Sequence, residues 1–330
     1  MITTTLLYAI TSFLLFFYIA KLSYKIGAID IPNDKRKVHK HATAYTGGVI
    51  LSIILLISLK IFNLSDLKLT SIISMSFLIS LIGLLDDKYD ISVSSKLSLQ
   101  IIPIFYLLIF QELNVRNLGD YFFFSLNLES FSIPFTLLSI LLLVNSFNYF
   151  DGLDGTLIIS VLSTLLILYF MIGDEEIKLF IFVILIPIFI FLCFNFKIFK
   201  LPKLFLGDSG SLLLGFIISF LLIFIASKKL LHPILIAWSI AIFVFEFLSI
   251  NIIRIKDKKN IFTPNLDHLH HILFQKTNSI ILTNLIIFCM NLSFFLTGFL
   301  LFNYINSLVS LVAFILFFFT YFFCRMLFKS

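Results

Sequence analysis

The chain is 330 residues long, 60% hydrophobic and only 13% charged, with a mean hydropathy of +1.10, whereas ordinary globular domains carry about 25% charged residues. These values exclude a water-soluble domain and read as an integral membrane protein. The net charge of +6 is assigned to loops flanking membrane segments, with no nucleic-acid partner expected; Cys193, Cys289 and Cys324, odd in number and without metal-ligand spacing, read as inert packing residues.

At about 20 apolar residues per crossing, eleven transmembrane helices are predicted, over residues 3–22, 46–63, 69–85, 96–111, 132–149, 155–172, 178–196, 211–227, 233–251, 280–302 and 305–325. The expected fold class is therefore all-α, a polytopic integral membrane protein forming a single membrane domain over 1–330. The start, Met1-Ile-Thr-Thr-Thr-Leu, lacks a basic stretch and a small-residue cleavage site, so the first span is expected to be retained. Residues 112–131 alternate and contain a Gly-Asp turn signal, which predicts a short external hairpin.

With the N-terminus outside, the segments reaching one face hold 18 of the 24 Lys and Arg. The positive-inside rule makes that face, and the C-terminus, cytoplasmic. The same segments contain ten Asp, no Glu and five of the six histidines: His39, His41, His268, His270 and His271. Solvated loop charges would mix the two acids. The sorting predicts a polar active site at the cytoplasmic membrane surface, carried by loops 23–45, 86–96, 145–155, 197–210 and 252–279.

The first of these loops, Asp30 to Gly48, contains Arg36 and His39 among several lysines. Basic residues beside a span serve topology; with Pro32 and Gly47-Gly48 they also suit a phosphate-rich partner, because Arg and Lys bind phosphate oxygens through charge-assisted hydrogen bonds. After the third span come Asp86-Asp87 and then Lys96. Adjacent carboxylates raise one another's pKa unless a cation lies between them, so the doublet suits a metal site or a general base, against the plainer reading of a solvated loop. Lys96 opens the next span, where snorkelling to the interface is the plain explanation.

Between two long apolar stretches lies Asn145-Ser-Phe-Asn148-Tyr-Phe-Asp151-Gly-Leu-Asp154-Gly155, with polar side chains every third residue. On a helix that spacing makes one polar stripe, and the glycines allow a sharp turn. A carboxylate at a bilayer centre costs about 2.5–3.5 kcal/mol, so Asp151 and Asp154 require water, a cation or a phosphate-bound metal nearby. Gly207-Asp208-Ser209-Gly210-Ser211 opens a later span, offering backbone amides as a phosphate seat and a carboxylate for a divalent ion; the alternative is an N-cap turn with Asp208 or Ser209 as the cap. The last long loop ends in Asp267-His268-Leu-His270-His271. Short histidine clusters bind phosphates or zinc, and no cysteine supports a zinc site. Glu246, inside an apolar span, is a functional candidate or one half of a structural ion pair, with Arg254 eight residues on.

Taken in order, these five segments resemble the polyprenyl-phosphate N-acetylhexosamine-1-phosphate transferase family, and the His-Leu-His-His string resembles its N-acetylglucosamine branch. The resemblance runs from Asp30 to His271. Asn265 and Leu266 stand where that branch has Asp-Arg, and Ala42 and Ala44 where prolines are usual, which leaves the N-acetylated sugar open. The resemblance implies that a UDP-N-acetylhexosamine donates its sugar-1-phosphate to undecaprenyl phosphate, releasing UMP, as a first membrane step of cell-surface glycan synthesis. It implies a multi-pass protein of the bacterial inner membrane in contact with the lipid bilayer, a magnesium ion, or manganese in its place, and a homodimer as the candidate assembly. Asp208 is the first choice of metal ligand, followed by Asp151 and Asp154. Asp86 or Asp87 would act as the base toward the lipid phosphate, with Asp86 favoured and a two-step route through an aspartyl-phosphate left open. Asn145 and Asn148 would orient the diphosphate, and Arg36, His39, Lys96, His268, His270 and His271 would contact phosphates, with His268 also counted among the catalytic groups.

Three other readings compete. Phospho-MurNAc-pentapeptide transfer lies within the same family. A polytopic transporter would place its charges near mid-bilayer in repeated halves, whereas these acids gather at one end and no repeat is visible. A CDP-alcohol phosphotransferase shares Asp151-Gly152 but would continue with Ala-Arg where this chain has Gly155-Thr156.

Overall fold

The computed structural model describes residues 2–32, 41–259 and 267–327. In chain order the elements are α1 (Ile2–Ile26), β1 (Ile29–Asp30), β2 (Thr43–Ala44), α2 (Gly47–Ile61), α3 (Leu67–Tyr89), α4 (Val93–Ile109), β3 (Asn117–Tyr121), β4 (Phe124–Asn127), α5 (Ser132–Phe150), α6 (Thr156–Met171), α7 (Glu175–Asn195), α8 (Gly207–Ser227), α9 (Pro233–Ser239), α10 (Ala241–Lys256), α11 (Leu269–Thr277), α12 (Ile280–Tyr304) and α13 (Ser307–Leu327). Among the described residues, seven helices are long and apolar enough to cross a membrane, or up to eight if the bent pair α9–α10 is one span. The segments predicted as spans fall on helices, but α2, α4 and α6 are apolar helices shorter than the seven.

Helix starts follow from local chemistry. Asp66 accepts the amides of Lys68 and Leu69 at 2.8 and 3.2 Å, and Asp174 those of Glu176 and Ile177 at 3.0 Å each. Both satisfy donors that a helix leaves unpaired in its first turn.

The segment predicted as one span over 233–251 is broken. The chain turns by 72° between α9 and α10, at Ile240 with φ −120° and ψ 15°. No proline or glycine marks the break. It is held from the side: the carbonyl of Ser239 accepts from Thr164 Oγ1 at 3.0 Å and Asn291 Nδ2 at 3.1 Å. Non-helical backbone in an apolar setting persists only where other protein groups satisfy it.

The chain forms two compact units, one of Met1–Glu112 with Asp174–Leu221, the other of Leu113–Gly173 with Leu222–Ser330. In the first, α1 packs on α2 and α7, α2 on α3, and α3 on α4. Leu212, Leu213, Leu214, Phe216, Ile217, Ile218 and Phe220 of α8 are all buried, as expected of a helix apolar on every face. The unit also contains the antiparallel pair β1–β2, with Ile29 opposite Ala44 and Asp30 opposite Thr43. This pair was not anticipated, since two-residue strands carry no periodic signal.

In the second unit α12 packs against α6, α9 and α13, and α10 against α5. The predicted hairpin is present as β3–β4, with Tyr121 opposite Phe124 and an irregularity between Asn117 and Asp120.

Candidate active site

In the first unit three helix ends supply charged groups to one cluster. α3 ends at Asp90, whose left-handed backbone (φ 50°) closes the helix with its amide on the Asp86 carbonyl at 2.8 Å. Ser92 then starts α4 by accepting the Ser95 amide at 3.2 Å. This tight helical hairpin returns Lys96 to the end of α3, where its ammonium meets Asp86 Oδ2 at 2.5 Å. The same nitrogen also meets Asp208 Oδ2, so two carboxylates converge on a single cationic centre.

Asp87, the neighbour of Asp86, does something else. Its Oδ1 accepts the amide of Asp208 at 2.9 Å and its Oδ2 that of Ser209 at 3.2 Å. Asp87 therefore caps α8 from another helix. The start of α8 was read as a phosphate seat or as a turn capped by its own Asp208 or Ser209; instead, the amides of Asp208 and Ser209 are already occupied by a carboxylate. The negative charge at a helix N-terminus is favourable, and the arrangement fixes the backbone that carries Asp208.

Close backbone approach makes this convergence possible. The amides of Gly47 and Gly48 donate to the carbonyls of Phe205 and Leu206 at 3.0 and 2.9 Å. A Cβ at Gly48 would fall 2.0 Å from the Gly210 nitrogen, so the sequence Gly47-Gly48 is the condition for α2 to reach the start of α8.

Asp86 and Asp208 are the carboxylates of this cluster that could hold a divalent cation. Magnesium commonly uses one or two carboxylates and completes its shell with water and substrate phosphates. Asp86 and Asp208 already share one cationic partner, and the Asp208 side chain keeps 32% of its surface accessible. Among the described residues no group of three or more His, Cys, Asp or Glu is placed to hold a metal ion.

The second unit carries the remaining motif residues. α5 ends at Phe150 with Asp151 as its C-cap, the Asp151 amide reaching the Asn148 carbonyl at 3.2 Å. The predicted stripe is therefore helical at Asn145 and Asn148, while Asp151 lies at the cap and Asp154 in the turn before α6. Asn284 of α12 ties that turn down, donating to the Asp154 carbonyl at 2.9 Å and accepting from Thr156 Oγ1 at 2.8 Å.

Against this turn lie the three histidines of α11 and its N-cap. A Cβ at Gly152 would stand 2.2 Å from His270 Nε2 and 3.0 Å from His271 Nε2. Glycine is what lets the imidazoles touch the Asp151–Asp154 turn. His268, His270 and His271 are all buried, with His268 edge-on to Tyr149 at 5.0 Å. Burial pushes the His268 pKa from 6.5 down to about 3, aided by the guanidinium groups of Arg254 and Arg325 and by His271; burial also lowers His270 and His271. All three imidazoles are neutral at physiological pH, so they act as hydrogen-bonding groups. His268 Nδ1 and His270 Nε2 are buried without a hydrogen-bond partner among the described residues.

Of the predicted site residues, Asp86, Asp87, Lys96 and Asp208 are gathered in the first unit, and Asn145, Asn148, Asp151, Asp154, His268, His270 and His271 belong to the second. Arg36 and His39, like Asn265 and Leu266, lie outside the described residues. Glu246 pairs with Arg325 of α13 at 2.8 Å, while the Arg254 guanidinium stacks over the Tyr149 ring at 5.4 Å. Sequence reasoning missed Tyr149, Asn284, Tyr321 and Arg325. Only Arg325 gave a signal, as a charge closing an apolar run, and that position reads equally well as topology.

Helices apolar enough to cross a membrane, with a lysine-bridged carboxylate pair and unpaired neutral imidazoles, define a polytopic membrane protein equipped for phosphate chemistry. Residues 69–226 match the glycosyl transferase family 4 profile. The chain is 30% identical over 267 residues to the probable undecaprenyl-phosphate N-acetylglucosaminyl 1-phosphate transferase of Bacillus subtilis (strain 168), covering 77% of this chain and 71% of that protein. It is 27% identical over 270 residues to the undecaprenyl-phosphate alpha-N-acetylglucosaminyl 1-phosphate transferase of Escherichia coli (strain K12), covering 79% and 73%. The Salmonella typhi protein of the same name is 29% identical over 272 residues, with the same coverage. The chain belongs to glycosyl transferase family 4.

Proposed function

We propose that this protein transfers N-acetylglucosamine-1-phosphate from UDP-N-acetylglucosamine to undecaprenyl phosphate, releasing UMP, in the bacterial inner membrane. The observation that carries the reading is the Lys96 ammonium shared by Asp86 and Asp208, in a chain whose relatives carry the transferase name. A lipid-phosphate oxygen attacks the β-phosphorus of the donor. The bond from that phosphorus to the bridging oxygen breaks, and the bridging oxygen leaves with UMP.

A magnesium ion held by Asp208 would neutralise diphosphate charge during this displacement. Lys96 supplies a fixed positive charge to the same carboxylates and to incoming phosphate oxygens. Asp86 is the group assigned to the lipid phosphate as its base, while Asp87 holds the Asp208 backbone. The neutral His268, His270 and His271 hydrogen-bond the nucleotide-sugar, with Asn145, Asn148, Asp151 and Asp154 beside them in the same unit; Arg36 and His39 are assigned to phosphate contacts from the sequence pattern. Eleven crossings, an outside N-terminus and a cytoplasmic reaction complete the reading, supported by the 18 Lys and Arg on one face.

Purified protein in undecaprenyl-phosphate vesicles, given a panel of radiolabelled UDP-sugars with magnesium, should form lipid-linked product from UDP-N-acetylglucosamine. Absence of product from every UDP-N-acetylhexosamine would remove the assignment. Cysteine labelling from either side of sealed vesicles, with cysteines placed near residues 5 and 329, tests the orientation; a labelled C-terminus on the outside would reverse it.

A further inference from the structure

Glu246 is an acid in an apolar helix with no part in the reaction above, yet both of its carboxylate oxygens are hydrogen-bonded. It is 1% exposed. Its Oε1 accepts the amide of Leu269 at 2.6 Å and Arg325 Nη2 at 3.0 Å; its Oε2 accepts Tyr321 OH at 2.6 Å and Arg325 Nε at 2.8 Å. Arg325, itself 4% exposed, also donates from Nη2 to the carbonyl of Asp267.

Two of these contacts fall on the backbone that carries the histidines. Leu269 is the first residue of α11, and its N-cap, His268, makes no side-chain capping bond. The carboxylate of Glu246, from α10, performs that function. It satisfies a donor that the helix start leaves unpaired and places negative charge at the positive end of the helix dipole. Arg325, from α13, neutralises Glu246 and holds the residue just before His268. Such an arrangement bonds both sides of the turn at His268, leaving its imidazole free for other partners.

A purely structural ion pair between α10 and α13 needs only the fork between Glu246 and Arg325. It does not need the Leu269 amide or the Asp267 carbonyl. A buried ion pair is also weak grounds for stability, since desolvation offsets much of the attraction. Its best physical justification here is the geometry it imposes on the residues it touches.

We propose that Glu246, Arg325 and Tyr321 form a clamp that positions the histidines of α11, so that the chain's last helix sets the affinity for the nucleotide-sugar. These are positioning residues, acting through His268, His270 and His271, and the proposal rests on the donor-binding role given to those histidines above. Groups that orient a functional shell commonly change affinity or activity by about 10- to 100-fold when altered.

The test uses the full chain in lipid nanodiscs with Arg325→Lys and Tyr321→Phe. Lysine keeps a charge for Glu246 but has no planar fork to hold Glu246 and the Asp267 carbonyl together. In the absence of substrate, the rate at which diethyl pyrocarbonate modifies each histidine is read by mass spectrometry. Arg325→Lys is expected to fold with a lowered melting temperature, while His268 and His270 react about 10-fold faster, and to raise KM for UDP-N-acetylglucosamine about 10-fold with little change in kcat. A folded Arg325→Lys protein with native labelling rates and native KM would overturn the clamp.

Should Arg325→Lys not fold, Tyr321→Phe decides, since it deletes one hydrogen bond and no charge. About threefold faster labelling supports the clamp, and an unchanged rate overturns it. The labelling arm needs no turnover. Wild-type protein that forms no lipid-linked product would therefore refute the proposed reaction while the labelling rates still judge the clamp.

Discussion

Replacing Asp87 with Ala separates two roles that adjacent carboxylates invite one to merge. Asp87 accepts the amides of Asp208 and Ser209 at 2.9 and 3.2 Å, so its loss leaves two helix-start donors without their carboxylate. Loss of a capping side chain costs about 0.5–2 kcal/mol, and loss of the anionic charge from a partly buried helix start can add about 1 kcal/mol. The expected destabilisation is about 1–3 kcal/mol, a fall in Tm on the order of 5 °C for a unit of this size. Activity falls as well, because a shift of about 1 Å in a catalytic group can cost about 100-fold, and the freed segment carries Asp208. Asp208→Asn provides the contrast. It removes one of two carboxylates on Lys96 while Asp86 remains at 2.5 Å, so turnover should be lost with Tm nearly unchanged. Thermal unfolding in detergent and UMP release are measured on both variants. An Asp87→Ala protein with native Tm and a pure loss of turnover would refute the capping role and return Asp87 to the chemistry.

Gly48→Ala should prevent native packing in the first unit, because the new Cβ would lie 2.0 Å from the Gly210 nitrogen and backbone cannot yield as a side chain can; overpacking of this kind costs about 1–3 kcal/mol or more, read as lost yield of folded protein in size-exclusion chromatography. Gly152→Ala puts a methyl 2.2 Å from His270 Nε2; the imidazole can swing aside, so the protein should fold with a KM for the UDP-sugar raised by about 10-fold or more, and an unchanged KM would disconnect these histidines from the donor. The His268 pKa, depressed from 6.5 to about 3, means the unfolded chain binds a proton there that the folded chain refuses. Stability is thus complete above about pH 6.5 and declines as pH falls toward 3. Tm measured between pH 7.5 and 5 should drop with acidification, and drop less in His268→Gln.

The sequence made the chemistry legible wherever it was local. Asp86-Asp87, Asn145 to Gly155, Asp208 between glycines and the histidine string each announce themselves because polar groups are costly in an apolar chain and are kept there for a reason. The same local view could not divide labour between neighbours. Asp86 and Asp87 are adjacent, yet one meets Lys96 and the other caps a helix 121 residues away. Glu246 was recognised as anomalous, but the nearer Arg254 was the obvious partner; the actual one, Arg325, is 79 residues distant. The break at Ile240 was illegible for a related reason. Its support comes from Thr164 and Asn291, whose side chains say nothing in sequence about a carbonyl at Ser239.

The two polar clusters also solve the burial of polar groups in different ways, and the difference bears on how an anionic donor is received. In the first unit charge is compensated internally, with one lysine between two carboxylates. The Lys96 ammonium contacts Oδ2 of both Asp86 and Asp208, so on the proposed function a cation arriving with a diphosphate would share those carboxylates with it. In the second unit burial lowers the pKa of all three histidines, and two of their ring nitrogens lack partners among the described residues. A neutral donor or acceptor carries no counterion to displace. Buried polar atoms left unpaired cost about 1–3 kcal/mol each, and on the proposed function a ligand pairing His268 Nδ1 and His270 Nε2 would recover that energy. On the proposed function, a nucleotide-sugar lacking the matching group would leave both nitrogens unpaired and bind less tightly. In the function proposed above, the electrostatic work falls to Asp86, Lys96 and Asp208, and recognition of the donor to the histidines that Gly152 admits and that the proposed Glu246 clamp orients.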